Sequence, residues 1–172
     1  TGQLSLGHVA LFGVGAFMSG VAAPTWALPF ALALATGAAS SGAVALVLGV
    51  VALRVRGLYL AVMTLAFSVM LGAFVFPRPA FSRGGAGLSV ARPALGPLDF
   101  SQEQVFLAFT LVMLLLMWRM DRGLLAGPLG RAWIGLRDNE VAAMARGIYG
   151  PPLKVAAFVF SGAWAGAAGA LF

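Results

Sequence analysis

Five carboxylates, one imidazole and a few hydroxyls are the groups in this 172-residue chain whose chemistry goes beyond packing. Asp99, Glu103, Asp121, Asp138 and Glu140 all fall between the apolar runs, and no Lys or Arg falls within one. Ion-coupled carriers keep an ionisable group at membrane depth because it works there despite a cost of several kcal/mol; that signature is missing, so energy for any transport must come from elsewhere. His8 and Ser19 are a base and a nucleophile by type, but on one continuous helix they stand about 16 Å apart, too far for proton transfer. Gly37-Ala-Ala-Ser-Ser-Gly42 has the outer glycine spacing of a phosphate-binding loop, yet Ala43 and Val44 follow where Lys and Ser or Thr are required. No nucleotide site is expected, nor any metal, cofactor or covalent catalysis. With no Cys, the redox compartment cannot be read.

Hydroxyls inside apolar runs have two uses. Thr64 and Ser68 share a helix face and offer hydrogen bonds to a permeating zwitterion, or else back-bond their own carbonyls one turn earlier. His8 either lines the same passage or serves as a hydrogen-bonded structural residue capping the first helix. The many glycines, among them Gly7, Gly13, Gly15, Gly20, Gly162, Gly166 and Gly169, most simply let helices approach closely.

The elements that must position these groups follow from composition. Hydrophobic residues make up 61% of the chain and charged residues 9%, against about a quarter charged in a soluble domain, so the solvent is lipid. A span needs about 20 mainly apolar residues. Five stretches approach that length: Val9 to Ala23, Trp26 to Leu53, Leu58 to Phe76, Val105 to Trp118 and Val155 to Phe172. The first is short, glycine-rich and closed by Pro24, and reads as either a full span or a broken, re-entrant helix. In the second, Pro29 and the Gly37 to Gly42 region are the expected kink sites. The fold class is therefore an all-α polytopic bundle, one transmembrane domain over residues 1–172. Because the chain opens on Thr1 and stops at Phe172 inside an apolar run, it reads as a piece of a longer protein.

Charge orients the bundle. The net charge of +6 comes from eleven basic and five acidic residues, and eight of the basic ones occupy Arg54, Arg56 and the segment 119–154. Short loops rich in Lys and Arg stay in the cytoplasm, so these belong inside, and span parity agrees. The loop 77–103, broken by four prolines and carrying Arg78, Arg83 and Arg92, then lies outside. Trp118 and Trp133 suit the membrane interface. Nucleic-acid binding does not explain this distribution.

Within 119–154 the spacing predicts two short helices, Pro128 to Arg137 and Asn139 to Arg146, the second capped by Asp138 and stopped by Gly147 in a left-handed conformation. So short a helix is unstable alone and must dock. Val141, Met144, Ala145 and Ile148 form its apolar face, suited to lipid or to a groove on a partner protein; Asp138 and Glu140 disfavour an anionic leaflet.

An ordered series of motifs then resembles one family. Gly2-Gln-Leu-Ser-Leu-Gly-His8 with Phe12-Gly-Val-Gly-Ala16 is similar to the opening motif of branched-chain amino acid permeases of ABC importers. Leu53-Arg-Val-Arg-Gly-Leu-Tyr-Leu60 resembles their basic turn, and Met63-Thr-Leu-Ala-Phe67 the helix after it. Ser82-Arg-Gly-Gly-Ala-Gly-Leu88 resembles an external T-G-G-x-x-G-L loop, with Ser82 and Arg83 replacing Thr and the first Gly. Gly130-Arg-Ala132, Arg137-Asp-Asn-Glu140, Ala143, Gly147 and Lys154 to Phe158 resemble the cytoplasmic loop, whose Glu-to-Gly spacing is one residue longer here than in the E-A-A-x-x-x-G coupling motif.

The resemblance is to the LivM-like branch, and covers essentially the whole chain. It implies import of branched-chain amino acids across a bacterial inner membrane, or of urea or a short amide within the same family. It also implies ABC ATPase subunits, a second, LivH-like permease subunit and a periplasmic substrate-binding protein as partners. Arg137, Asp138, Asn139, Glu140, Ala143 and Gly147 then form the coupling loop to the ATPase. Arg83, Gly84, Gly85 and Gly87 form either a contact with the binding protein, since glycines let a partner approach the backbone, or an ordinary solvated turn.

Overall fold

Charge-free runs of Ala, Leu, Val and Gly have no water to satisfy their peptide groups in a bilayer, and a helix satisfies them internally. The computed structural model, which describes residues 5–25, 28–55, 57–78, 94–95, 98–99 and 102–172, contains five helices long and apolar enough to cross a membrane. They are α1 (His8–Thr25), α2 (Phe30–Ala52), α3 (Leu58–Met70, continued by a π-helical turn at Leu71–Val75), α4 (Glu103–Ala126) and α7 (Gly150–Ala170). Two short helices, α5 (Pro128–Asp138) and α6 (Glu140–Ala145), join α4 to α7. The only extended pairing among the described residues is a two-residue antiparallel ladder of β1 (Ala94–Leu95) and β2 (Leu98–Asp99), in the proline-rich loop.

Two compact units make up the chain: Thr1–Leu88 with Ala132–Phe172, and Ser89–Arg131. In the first, α7 lies between partners it approaches through glycine. A side chain at Gly15 of α1 would overlap the Gly166 carbonyl of α7, and one at Gly162 would overlap Ala45 of α2. Small-residue contacts of this kind drive helix association in lipid, where van der Waals packing replaces the hydrophobic effect. Gly37 of α2 faces Ala170, Gly42 faces Ala163 and Gly49 faces Val155 and Phe158, so α2 and α7 are antiparallel. His8 meets Ser161 and Phe12 meets Phe172, so α1 and α7 run parallel. Leu11, Ala45, Leu48, Ala52, Leu60 and Phe158 form the buried core.

In the second unit, no residue of α4 is buried. Its Arg122 guanidinium lies 4.3 Å over the Trp118 ring one turn earlier, a cation placed for the membrane interface.

Several expected boundaries move. The first span is one continuous helix, with Pro24 in its last turn; residues 5–7 before it are not helical. Pro29 precedes α2 instead of bending it, and α2 continues unbroken through Gly37 to Gly42. The fourth helix does not stop at Trp118 but continues through Arg119, Asp121 and Arg122 to Ala126, until Gly127 and Pro128 end it. The last helix starts at Gly150, because Pro151 and Pro152, which lack only N–H groups a first turn leaves unused, open it. Glu103 and Lys154 are thereby helical, Glu103 in a first turn and Lys154 just beyond one.

The π turn has a packing consequence. Phe76 N–H donates to the Leu71 carbonyl at 3.0 Å, one residue further back than in an α-helix. That shift sets the Phe76 ring against α1: a side chain at Gly13 would come within 2.6 Å of it, and the Phe17 ring lies 4.9 Å away.

Candidate functional site

Of the sequence-predicted groups, Thr64 and His8 come together where α1 begins. Ser5 to Gly7 are not helical, and in an apolar environment each unpaired peptide group there would cost several kcal/mol. The Leu6 N–H is taken by Thr64 Oγ1 at 2.9 Å, the Gly7 N–H by Ser5 Oγ at 3.3 Å, and the Gly7 carbonyl by the Leu11 N–H at 3.2 Å. Thr64, 1% exposed, also donates to the Ala61 carbonyl at 3.0 Å. One hydroxyl thus back-bonds its own helix and pins the chain segment that precedes another.

His8, the first residue of α1, completes the cluster. Its Nδ1 lies 3.3 Å from the Ser5 carbonyl, which can only accept, so Nδ1 carries the proton. In the neutral ring Nε2 is then the acceptor, and Ser161 Oγ of α7 lies 2.5 Å from it, placed to donate. Ser161 lies ~16 Å along α7 from Gly150, near the middle of that span. Ser68, one turn beyond Thr64, is half-buried and makes no hydrogen bond among the described residues. Ser19, by contrast, back-bonds Ala16 at 3.0 Å, one turn earlier on its own helix.

Sequence reading missed Ser5 and Ser161. The signal for Ser161 was the one used for Thr64 and Ser68, a hydroxyl inside an apolar run, but its partner is 153 residues away.

The second cluster is the connection through α5 and α6. Asn139, not Asp138, caps α6: its backbone is extended and its Oδ1 accepts the Ala142 N–H at 3.0 Å. Asp138 is the last residue of α5 and pairs with Arg137 at 3.2 Å. Both residues can cap, and the one whose backbone leaves the helix does so. At the other end the Gly147 N–H bonds the Met144 carbonyl at 2.9 Å and the Ile148 N–H bonds the Ala143 carbonyl at 3.1 Å, the paired bonds of a Schellman stop. Gly147 has φ +83°, the predicted left-handed conformation.

Only Ala143 of α6 is buried, whereas Val141 is 74% exposed and Met144 45%. The apolar face read from the sequence is therefore exposed, among the described residues, at Val141 and Met144. On the inner side, Glu140 Oε1 accepts from Lys154 Nζ of α7 at 2.7 Å, in a pair whose side chains are 28% and 13% exposed. The Arg137–Asp138 pair, at 59% and 62%, is solvated, and exposed pairs contribute only about 0–1 kcal/mol. Trp133 Nε1 of α5 donates to the Leu153 carbonyl at 2.8 Å, and its ring meets Phe160 edge-on. Arg83, Gly84, Gly85 and Gly87 lie outside the described residues.

No group of three His, Cys, Asp or Glu side chains suited to a metal occurs among the described residues. A sequence profile of the family described as branched-chain amino acid transport system, permease component, matches residues 1–172. Two curated relatives, each named high-affinity branched-chain amino acid transport system permease protein LivM, come from Salmonella typhimurium and Escherichia coli. The chain is 30% and 29% identical to them, over its full length and 46% of theirs. It thus spans about half the length of these relatives. No solved structure shows significant similarity to it.

Proposed function

The chain belongs to the branched-chain amino acid permease family of multi-pass membrane transport components, and from that premise we propose that it is part of an ABC importer subunit carrying branched-chain amino acids inward, powered by separate ATPase subunits. The observation that carries the coupling half is α6 itself. It has two formed caps, a tie to α7, and apolar side chains at Val141 and Met144 that stand exposed among the described residues. A six-residue helix is held this way only by its surroundings, and a rigid, outward-facing turn is what a cleft on an ATPase needs.

His8 and Ser161, with Thr64 and Ser68 of α3, are polar groups within a mainly apolar bundle, suited to lining the path of a zwitterion. Substrate arrives from an external binding protein, and a second permease subunit completes the passage. The loop 77–103, with Arg83 and its neighbouring glycines, faces the binding protein, and the segment 119–154 faces the cytoplasm of a bacterial inner membrane.

The test is uptake of radiolabelled leucine, isoleucine and valine by proteoliposomes holding the full-length permease with its companion subunits and binding protein. Uptake should require ATP and persist when an ionophore collapses the ion gradients. Uptake that survives without ATP and stops with the ionophore would assign a secondary carrier instead. Competition by excess urea, with none by leucine, would assign a short-amide importer.

A further inference from the structure

A lysine near the start of a helix tilts its side chain back toward N–H groups that already present partial positive charge. Lys154 is the fifth residue of α7, just beyond its first turn, with its side chain only 13% exposed. The compensating charge is the Glu140 carboxylate, which bonds Lys154 Nζ at 2.7 Å and lies so close to the helix start that a side chain at Gly150 would come within 3.8 Å of Oε1. Two further contacts reach the same turn. Trp133 Nε1 bonds the Leu153 carbonyl, and Leu136, 4% exposed, approaches Gly150 so closely that a side chain there would come within 3.2 Å of it. Thus α5 and α6 hold the start of α7 at Gly150, Leu153 and Lys154, while the rest of α7 is seated on α1 and α2 through glycine contacts.

We infer that Lys154 is a positioning residue for transport: its pair with Glu140 makes α6 and the start of α7 move as one body, and α7 carries that movement to Ser161 and His8. A helix is stiff along its axis, so a displacement at Gly150 reaches Ser161, ~16 Å away, without a hinge between. This rests on α6 being the ATPase-facing element. It differs from that reading by giving Glu140 a partner inside the permease, so that its charge transmits the movement within this chain.

The assembled, full-length transporter in proteoliposomes tests it, with substrate uptake per ATP hydrolysed as the readout. Glu140→Gln and Lys154→Met should each lower that ratio about fivefold or more, the range of ordinary coupling between sites, while ATP hydrolysis continues. The exchange Glu140→Lys with Lys154→Glu should restore at least half of it. Should the exchanged protein fail to assemble, Glu140→Cys with Lys154→Cys supplies the tie covalently: a bis-methanethiosulfonate cross-linker, each thiolate displacing methanesulfinate to form a disulfide, should raise the ratio, and reductive cleavage of the bridge should lower it. A Lys154→Met transporter with the wild-type ratio overturns the inference, as does a bridged pair that stays uncoupled. Loss from Glu140→Gln alone assigns Glu140 to the ATPase and also overturns it, leaving the proposed function standing. If the wild-type complex shows no ATP-dependent uptake, the proposed function itself fails.

Discussion

At the residue scale, Gly147 separates backbone conformation from contact. Its φ of +83° suits glycine, and nothing lies within 4 Å of where a Cβ would sit. Any cost of Gly147→Ala is therefore conformational, about 1–2 kcal/mol, whereas Gly147→Asn, a side chain that tolerates the left-handed region, should cost less. Thermal denaturation of the detergent-solubilised protein should rank wild type above Asn and Asn above Ala; equal loss for both would mean that a side chain there does meet something. This residue was legible from spacing, because a left-handed stop after a short helix needs glycine and Pro151 and Pro152 forbid a longer run. The cap at the other end was legible only to within one position: Asp138 and Asn139 are equally good acceptors by type, and only the backbone shows that Asp138 still belongs to α5. The His8–Ser161 bond was not legible, because separation along the chain says nothing about which hydroxyl of an apolar helix turns toward an imidazole on another.

Among elements, glycines with the same letter do different work. Gly15 permits the close approach of α1 to α7, whereas Gly123 in α4 has nothing within 4 Å of a built Cβ. Gly15→Ala must push the Gly166 backbone aside and should destabilise by about 1–3 kcal/mol, as overpacking does. Gly123→Ala, meeting no neighbour, should stabilise its helix by up to about 1 kcal/mol. Opposite signs in thermal denaturation of the two variants check both, and a loss at Gly123 would mean that another subunit packs there. The positions of the helices were mostly readable from apolar run length, and their errors share one cause. Charge was taken as the end of a helix at Trp118 and Lys154, but Arg, Lys and Asp are compatible with helix near an interface, where long side chains reach water. The actual stops are conformational, Gly127 with Pro128 for α4 and the Pro151–Pro152 start for α7. The π turn at Leu71–Val75 has no such marker, since it is the fit of Phe76 against Gly13 that accompanies it.

For the whole molecule, the sidedness read from charge meets an independent constraint within one unit. The antiparallel register of α2 and α7 brings the end of α2, just before Arg54, to the same end of the bundle as Gly150 and Lys154. At α3 the far end is marked by Phe76, packed on Gly13 and Phe17, and Arg78 follows it, its Nε donating to the Phe74 carbonyl at 3.1 Å. Arg54 and Arg146 should therefore face one side of the membrane and Arg78 the other, whichever side carries the ATPase. Because the chain contains no Cys, single cysteines can report this without background from these residues. In right-side-out vesicles a membrane-impermeant thiol reagent should label Arg78→Cys, and should label Arg54→Cys and Arg146→Cys only after the vesicles are opened. Labelling of Arg54→Cys and Arg78→Cys from one side would mean that α3 does not cross, and the positive-inside orientation together with the ATPase-facing role of α6 would fall with it.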